Sequence, residues 1–176
     1  MEIITKRLRL SPLTLEQLKC YIAAPDILEQ ELGLEISRDI VTDRLCRAIT
    51  MKVSKMGRTD PLEHSWYTYW LIVVKDGGYG AGLAGFKGLP DDQGKTEIGY
   101  GIDAAYRNME YMTEAVRGLI EWAFQDERCK TVIAPDVKRW NVASSRVLEK
   151  AGMRVYNERE ESVDWRVDKV VQVSAS

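Results

Sequence analysis

The chain has 176 residues, of which 45% are apolar and 30% charged, the proportions of an ordinary soluble protein with one sizeable core. Its 25 Lys and Arg nearly balance 27 Asp and Glu for a net charge of −2, so no basic excess is available to neutralise a phosphate backbone, and nucleic acid is not an expected partner. No apolar run approaches the roughly 20 residues of a spanning helix, and Met1 to Arg7 lacks the charged-then-apolar order of a signal peptide, so neither a membrane nor export is expected.

The first stretch, Ile3 to Leu10, reads as a strand, with Leu8 and Leu10 alternating with charged residues and Pro12 stopping the ladder. Thr14 followed by Gln17 predicts a capping box on a helix whose Leu15, Leu18 and Ile22 share one side. Ile27 to Leu34 predicts a short helical turn. Ser37 is the expected cap of the next helix, which buries Val41, Leu45, Ala48 and Ile49 and ends by Gly57. After a polar loop from Arg58 to Ser65, Trp66 to Val74 is almost wholly β-branched or aromatic and reads as a strand. Gly82 to Leu89 is its expected hairpin partner beyond Gly77-Gly78. Thr96 to Ile102 follows as a third strand, with Ile98, Tyr100 and Ile102 on one face and Glu97, Gly99 and Gly101 on the other.

Asp103 to Glu110 reads as a loop. Met112 to Phe124 carries an unbroken helical stripe of Met112, Ala115, Val116, Leu119, Ile120, Ala123 and Phe124. A short strand from Lys130 to Pro135, a helix from Asn141 to Ala151 closed by Gly152, and strands at Arg154 to Glu160 and Val163 to Val171 complete the chain. No repeat or linker divides it, so a single domain over 1–176 is expected. The order predicts a mixed α/β fold: a mostly antiparallel sheet of six to seven strands, with helices on both faces. The helix at Met112 should join two parallel strands. Ligands of such sheets bind beyond the carboxyl ends of strands, which points to Asp103–Glu110. Cys20, Cys46 and Cys129 are odd in number and widely spaced. They read as buried free thiols of a reducing cytoplasm, and the lone His64 has no neighbours with which to hold a metal.

Three segments carry chemistry: Glu97-Ile98-Gly99-Tyr100-Gly101-Ile102, Tyr106-Arg107-Asn108-Met109-Glu110-Tyr111-Met112-Thr113-Glu114-Ala115, and Asn141 to Met153 with its N-x-x-S start at Asn141 and Ser144. Together with the opening Thr5-Lys6-Arg7-Leu8-Arg9-Leu10, they resemble the GNAT acetyltransferase superfamily, most closely its RimJ/RimL-like branch. The resemblance implies a GNAT-like acyl-CoA N-acyltransferase fold, acetyl-CoA as cosubstrate and an amine as acceptor. It implies that Arg107, Asn108, Met109, Glu110, Tyr111, Met112 and Thr113 hold the diphosphate of CoA. Elementary physics agrees: a strand feeds a loop that opens a helix, whose first amides lack internal partners and face anions favourably. The sequence departs from the family at Glu110, where glycine is usual, and at Met112, where glycine or alanine is usual. A carboxylate at roughly 6 Å from a phosphate would weaken binding on the order of a hundredfold if it faced the ligand, and little if it faced solvent. Glu110 thus sustains a second expectation, a degenerate member serving as an acyl-CoA sensor or interaction module.

The resemblance also places Asn141 against the pantetheine arm, although asparagine is equally a natural helix cap. Ser144 becomes a candidate donor to the departing thiolate, with a polar helix surface as its plain alternative. Leu148 stands where many relatives carry a tyrosine acid. Transfer to an amine requires the amine to be neutral, which costs about 1 kcal/mol at pH 7 for an α-amino group and about 4.6 kcal/mol for a lysine. Glu97, on a mid-sheet strand, is the candidate base, or else a solvated strand-end carboxylate. A backbone amide near Ile102 is the candidate for polarising the carbonyl. Trp66 and Tyr69 either line the acceptor cleft or fill the core. A homodimer is left open.

Overall fold

The protein is described by a computed structural model over residues 1–171. The chain opens with a hairpin rather than one strand. Strands β1 (Ile3–Ile4) and β2 (Leu8–Pro12) pair antiparallel, with Ile3 opposite Leu10. The turn between them closes through Thr5, whose N–H donates to the Leu8 carbonyl at 3.0 Å and whose Oγ1 accepts from Leu8 N–H at 3.1 Å. A threonine side chain that mimics a backbone partner is a turn signal that alternation alone does not reveal. Pro12 ends the ladder, as expected, and is its last paired residue, opposite Trp70.

Three helices follow: α1 (Leu15–Ala23), α2 (Pro25–Leu32) and α3 (Asp43–Met56). The Thr14–Gln17 capping box forms as expected. Thr42, not Ser37, caps α3, and the fully buried Ser37 instead donates to Asp103 Oδ2 at 2.8 Å. A second correction concerns the expected strand from Trp66. Asp60 caps a 3-10 turn at Pro61–Glu63, which leads into a one-turn helix α4 (His64–Tyr67). His64 Nε2 lies 2.8 Å from the Met56 carbonyl, so the segment is tied to α3 before the strand begins. Local aromatic β-propensity loses to that tertiary tie.

The remaining elements are β3 (Trp70–Val74), β4 (Tyr79–Phe86), β5 (Lys95–Ile102), α5 (Tyr111–Gln125), β6 (Thr131–Lys138), α6 (Val142–Lys150), β7 (Arg154–Glu158) and β8 (Ser162–Asp168). One eight-stranded sheet results, in the order β1-β2-β3-β4-β5-β6-β8-β7. The expected six to seven strands become eight because the first is split. Every pair is antiparallel except β5–β6, the pair joined by the α5 crossover. Among the described residues, no helix is long and apolar enough to cross a membrane.

Each face of the sheet buries its own apolar layer. Leu8, Leu10, Trp70, Ile72, Ala84, Phe86, Ile98 and Val132 pack beneath the α5 stripe of Ala115, Val116, Leu119 and Ala123. On the opposite face, Leu71, Val73 and Leu83 meet Leu18, Tyr21, Leu28 and Ile49 from α1–α3. Cys129 is buried, whereas Cys20 and Cys46 are only half-buried; all three are free thiols.

Lys52 of α3 is the exception in this layer. It is 7% exposed, and its ammonium donates to the carbonyls of Phe86 at 2.6 Å and Tyr67 at 3.0 Å while lying 4.4 Å from the centre of the Tyr69 ring. It fills the gap where α4 departs from the sheet and the β3–β4 ladder stops at Trp70–Ala84. Burial, reinforced by Lys55 and Lys87, pulls its pKa down to about 7, although the carbonyl acceptors favour the charged form. Between that value and the ordinary 10.5, the unfolded chain holds a proton that the folded chain releases, so stability rises with pH across this window. Urea unfolding at several values between pH 7 and 9 should show a positive slope of up to about 1.4 kcal/mol per pH unit. The slope should disappear in Lys52→Met; an unchanged slope in that variant would assign it elsewhere.

Candidate functional site

The one parallel pair in the sheet is incomplete. β5 and β6 are in register only from Lys95–Thr131 to Glu97–Ile133. Beyond that point, β5 is paired on a single side, to β4. The main chain of Lys87 donates to Glu97 O and that of Asp103 to Ala81 O, so odd-numbered residues of β5 direct their polar groups at β4. The even-numbered Tyr100 and Ile102 therefore direct theirs into the opening between β5 and β6. The Ile102 amide, singled out from the sequence, sits on that free edge.

Past β5, the chain makes a 3-10 turn at Ala104–Tyr106 and enters α5 through Arg107 to Glu110, all exposed. Asn108 and Glu110 take positive φ of 60° and 64°. Such values are costly for residues with a Cβ, and they explain why the family favours glycine at the second position. Among the described residues, no main-chain N–H from Asn108 to Thr113 donates to a protein acceptor, and the first bond of the helix is Glu114 N to Glu110 O. Six donors without a protein partner thus lie at the positive end of a 15-residue helix. Met112 and Thr113 are themselves buried, with 5% exposure each.

Several side chains set this loop. Arg7 Nη1 donates to the Met109 carbonyl at 2.8 Å, and its guanidinium lies 4.5 Å from the centre of the Tyr111 ring. Glu114 anchors Arg7 in turn, accepting from its N–H and Nε at 2.7 Å each and from Thr5 Oγ1 at 2.6 Å. Arg7 and Glu114 lie 107 residues apart, so no local pattern reveals the pair. At the other end of the loop, Asp103 accepts from Ser37, from Tyr79 at 2.9 Å and from Ala105 N–H. The Glu110 carboxylate does not enter the loop. It turns to the α6 terminus, where it accepts from Lys150 Nζ, and this bond holds its carboxyl below the usual range. It remains 52% exposed.

On the α1–α3 face, the register aligns Tyr69, Gly85 and Gly99 in one row, and Leu83 with Gly101 in the next. A Cβ built on Gly99 or Gly101 would meet nothing within 4 Å, so the two glycines floor an open hollow. The half-buried Tyr69 stands at one side, and Glu97, ion-paired to Lys87, stands at the end of the strand. Trp66 does not reach this hollow. It is 4% exposed in the opposite core, with ring centroids 4.6 Å from Trp122 and 5.2 Å from Phe86, so the cleft role expected for it is withdrawn.

Asn141 caps α6 through Oδ1, which accepts from Ser144 N–H at 3.2 Å; its Nδ2 has no protein partner among the described residues. Ser144 Oγ lies 2.8 Å from the Tyr100 hydroxyl. Burial pushes the Tyr100 phenol up to about 12, so it keeps its proton at neutral pH. Sequence reading put Tyr100 in an apolar row and missed it. A tyrosine alternating with Ile98 and Ile102 was the available signal, because a buried hydroxyl needs a partner. Among the described residues, no group of three His, Cys, Asp or Glu is placed to hold a metal.

Comparison with known proteins agrees with this layout. A family model described as the acetyltransferase (GNAT) domain matches residues 7–154. The Uncharacterized N-acetyltransferase YjdG of Bacillus subtilis is 34% identical over 96 residues, which cover 54% of this chain and 56% of that protein. The matched stretch is thus little more than half the length of that relative. The ribosomal-protein-S5-alanine acetyltransferase of Vibrio fischeri superposes with a TM-score of 0.63 at 15% identity, covering 96% of each chain. RimL, the ribosomal L7/L12 alpha-N-protein acetyltransferase in complex with coenzyme A, gives 0.63 at 12% identity over 94% of this chain and 95% of that one. With the family model matching residues 7–154 and the overall fold shared with these structures, the chain belongs to the GNAT acetyltransferase domain family.

Proposed function

We propose that the protein is an acetyl-CoA-dependent N-acetyltransferase acting on a primary amine, and that it works in the cytoplasm. The observation that carries this reading is the set of six unpartnered main-chain N–H groups from Asn108 to Thr113 at the mouth of the β5–β6 opening. Acetyl-CoA supplies the acetyl group as a thioester; its diphosphate suits the six amides, and its extended arm suits the free edge of β5.

The acceptor enters over Gly99 and Gly101 beside Tyr69. Glu97 accepts the proton of the ammonium once its carboxylate leaves Lys87. The Ile102 amide polarises the thioester carbonyl. As the amine nitrogen bonds to the acetyl carbon and the C–S bond breaks, Tyr100, in contact with Ser144, donates a proton to the sulfur, and the proton that the nitrogen sheds on becoming an amide passes through water to the Tyr100 phenolate and restores its hydroxyl. Asn141 Nδ2, which no protein acceptor takes among the described residues, donates to a carbonyl of the pantetheine arm. An α-amino group is the acceptor that asks least of a half-exposed carboxylate, because its reference pKa of about 7.7–8.0 leaves a neutral fraction at pH 7. The names of the RimL and S5-alanine acetyltransferases lend weight to a protein N-terminus.

Glu110 supports a second reading, in which the chain binds acyl-CoA without turnover, as a sensor. Calorimetry with acetyl-CoA, followed by an acetyl-CoA-dependent product screen against peptides and small amines, separates the two. Micromolar binding with a product establishes the enzyme; binding without product supports the sensor; no binding at millimolar concentration removes the enzyme and supports a degenerate interaction module.

Three substitutions test the roles. Glu97→Gln should lower kcat/KM on the order of a hundredfold and remove the acidic limb of its pH profile; an unchanged profile would exclude Glu97 as the base. Tyr100→Phe should lower kcat by a similar factor with little change in the KM for acetyl-CoA; full activity would leave the proton to another donor. Lys150→Met should weaken CoA binding about tenfold by leaving the Glu110 carboxylate unpaired beside the loop, and adding Glu110→Gln should restore it. Failure of the second change to restore affinity would give Lys150 a direct contact with the ligand.

A further inference from the structure

The opening between β5 and β6 has a traceable cause. Thr131 N–H donates to Gly94 O at 3.0 Å, and Lys169 N–H to Lys130 O at 2.8 Å. Odd-numbered residues of β6 therefore direct their main-chain groups at β5, and even-numbered ones at β8. In this register, the donor that would extend the ladder to the Ile98 carbonyl is residue 135. That residue is a proline, which has no N–H.

The next residue turns the strand. Asp136 takes a φ of 55°, and the β6–β8 register shifts between Ala134 and Val137, the mark of a bulge with one extra residue. Asp164 of β8, 3% exposed, lies opposite. Its Oδ1 accepts the Asp136 N–H at 2.8 Å and Arg159 Nη1 at 2.9 Å; its Oδ2 accepts Asn157 Nδ2 at 2.8 Å and Arg159 Nη2 at 2.6 Å. Burial works against the charge of this carboxylate, but the Asp136 amide, Asn157 and Arg159 together hold its carboxyl below the usual range. Four donors on one buried acid make a rigid clamp for the bulge.

We infer that the Pro135–Asp136 bulge, clamped onto β8 by Asp164, is what keeps β6 off β5 and holds the cosubstrate opening apart. Pro135 and Asp164 are thus positioning residues that touch no reacting atom. The role assigned to the opening rests on the reading above; the mechanics of the bulge do not.

The test is Pro135→Ala, with Asp164→Asn as the second variant, each followed by thermal melting, amide hydrogen exchange at Tyr100, and calorimetry with CoA. Pro135→Ala restores the missing donor and lets the ladder run on. Exchange at Tyr100 should slow, and CoA affinity should fall at least tenfold. Asp164→Asn should melt lower and also lose CoA affinity, with kcat on saturating acetyl-CoA falling less than the affinity does. Where the wild type binds CoA, a Pro135→Ala protein that binds it equally well overturns the inference, and so does one that exchanges like wild type at Tyr100, since an added strand bond cannot then be what the proline prevents. A wild-type chain that does not bind CoA sinks the functional reading alone, because exchange at Tyr100 still reports on the bulge.

Discussion

Main-chain hydrogen-bonding groups without a protein partner are the constraint around which this fold is organised. Buried or half-buried backbone donors are normally paired, and a sheet of eight strands and six helices has ample means to pair them. Here two sets remain free at the same end of the sheet: the amides from Asn108 to Thr113, and the β6-facing edge of Tyr100 and Ile102. Each lies at the carboxyl end of a strand in the one parallel pair, where connections diverge and ligands of α/β sheets collect. In the proposed function, the first set takes a compact anion and the second an extended chain carrying amides.

Keeping donors free requires other residues to hold the backbone in place of the missing bonds. Arg7 reaches from the first hairpin to the Met109 carbonyl, and Glu114 fixes Arg7 from α5. Asp103 and Asp39 hold the start of the loop through the Ala105 and Ala104 amides. On the far side of the opening, the Asp164 carboxylate plays the same part for β6. The Glu110–Lys150 pair spans from the loop to the end of α6, so a residue whose charge and backbone geometry both disfavour the site is neutralised within it. Long-range polar ties thus surround the opening, while the apolar layers beneath α5 and α1–α3 carry the sheet itself.

This division explains what was legible in the sequence. The helical stripe from Met112 to Phe124, the Thr14–Gln17 box, the facing of Glu97, Gly99 and Gly101, and the strand-loop-helix order at Asp103–Glu110 are local patterns, and the structure keeps all of them. The errors fall where one particular side-chain hydrogen bond decides, to a near neighbour for Thr5 and His64 and to a distant one for Ser37. Thr5 folds its strand into a hairpin, His64 ties Trp66 into a helix and so into the core, and Ser37 is taken by Asp103 rather than by a helix start. The candidate site divides in the same way: the amide donors follow from element order, whereas the Tyr100–Ser144 contact and the clamp on Asp136 depend on partners 44 and 28 residues away. Pro135 was visible throughout as a strand end, but the carbonyl it fails to serve belongs to Ile98, and that needs the register.

The most direct measurement is an NMR titration of the 15N-labelled protein with CoA, following the amide resonances from Asn108 to Thr113. The expected result is that these resonances move together and saturate at micromolar ligand, with Tyr100 and Ile102 moving on the same curve. Resonances that stay fixed at millimolar CoA, or shifts confined to a different part of the sheet, would contradict the assignment of these free donors to a diphosphate.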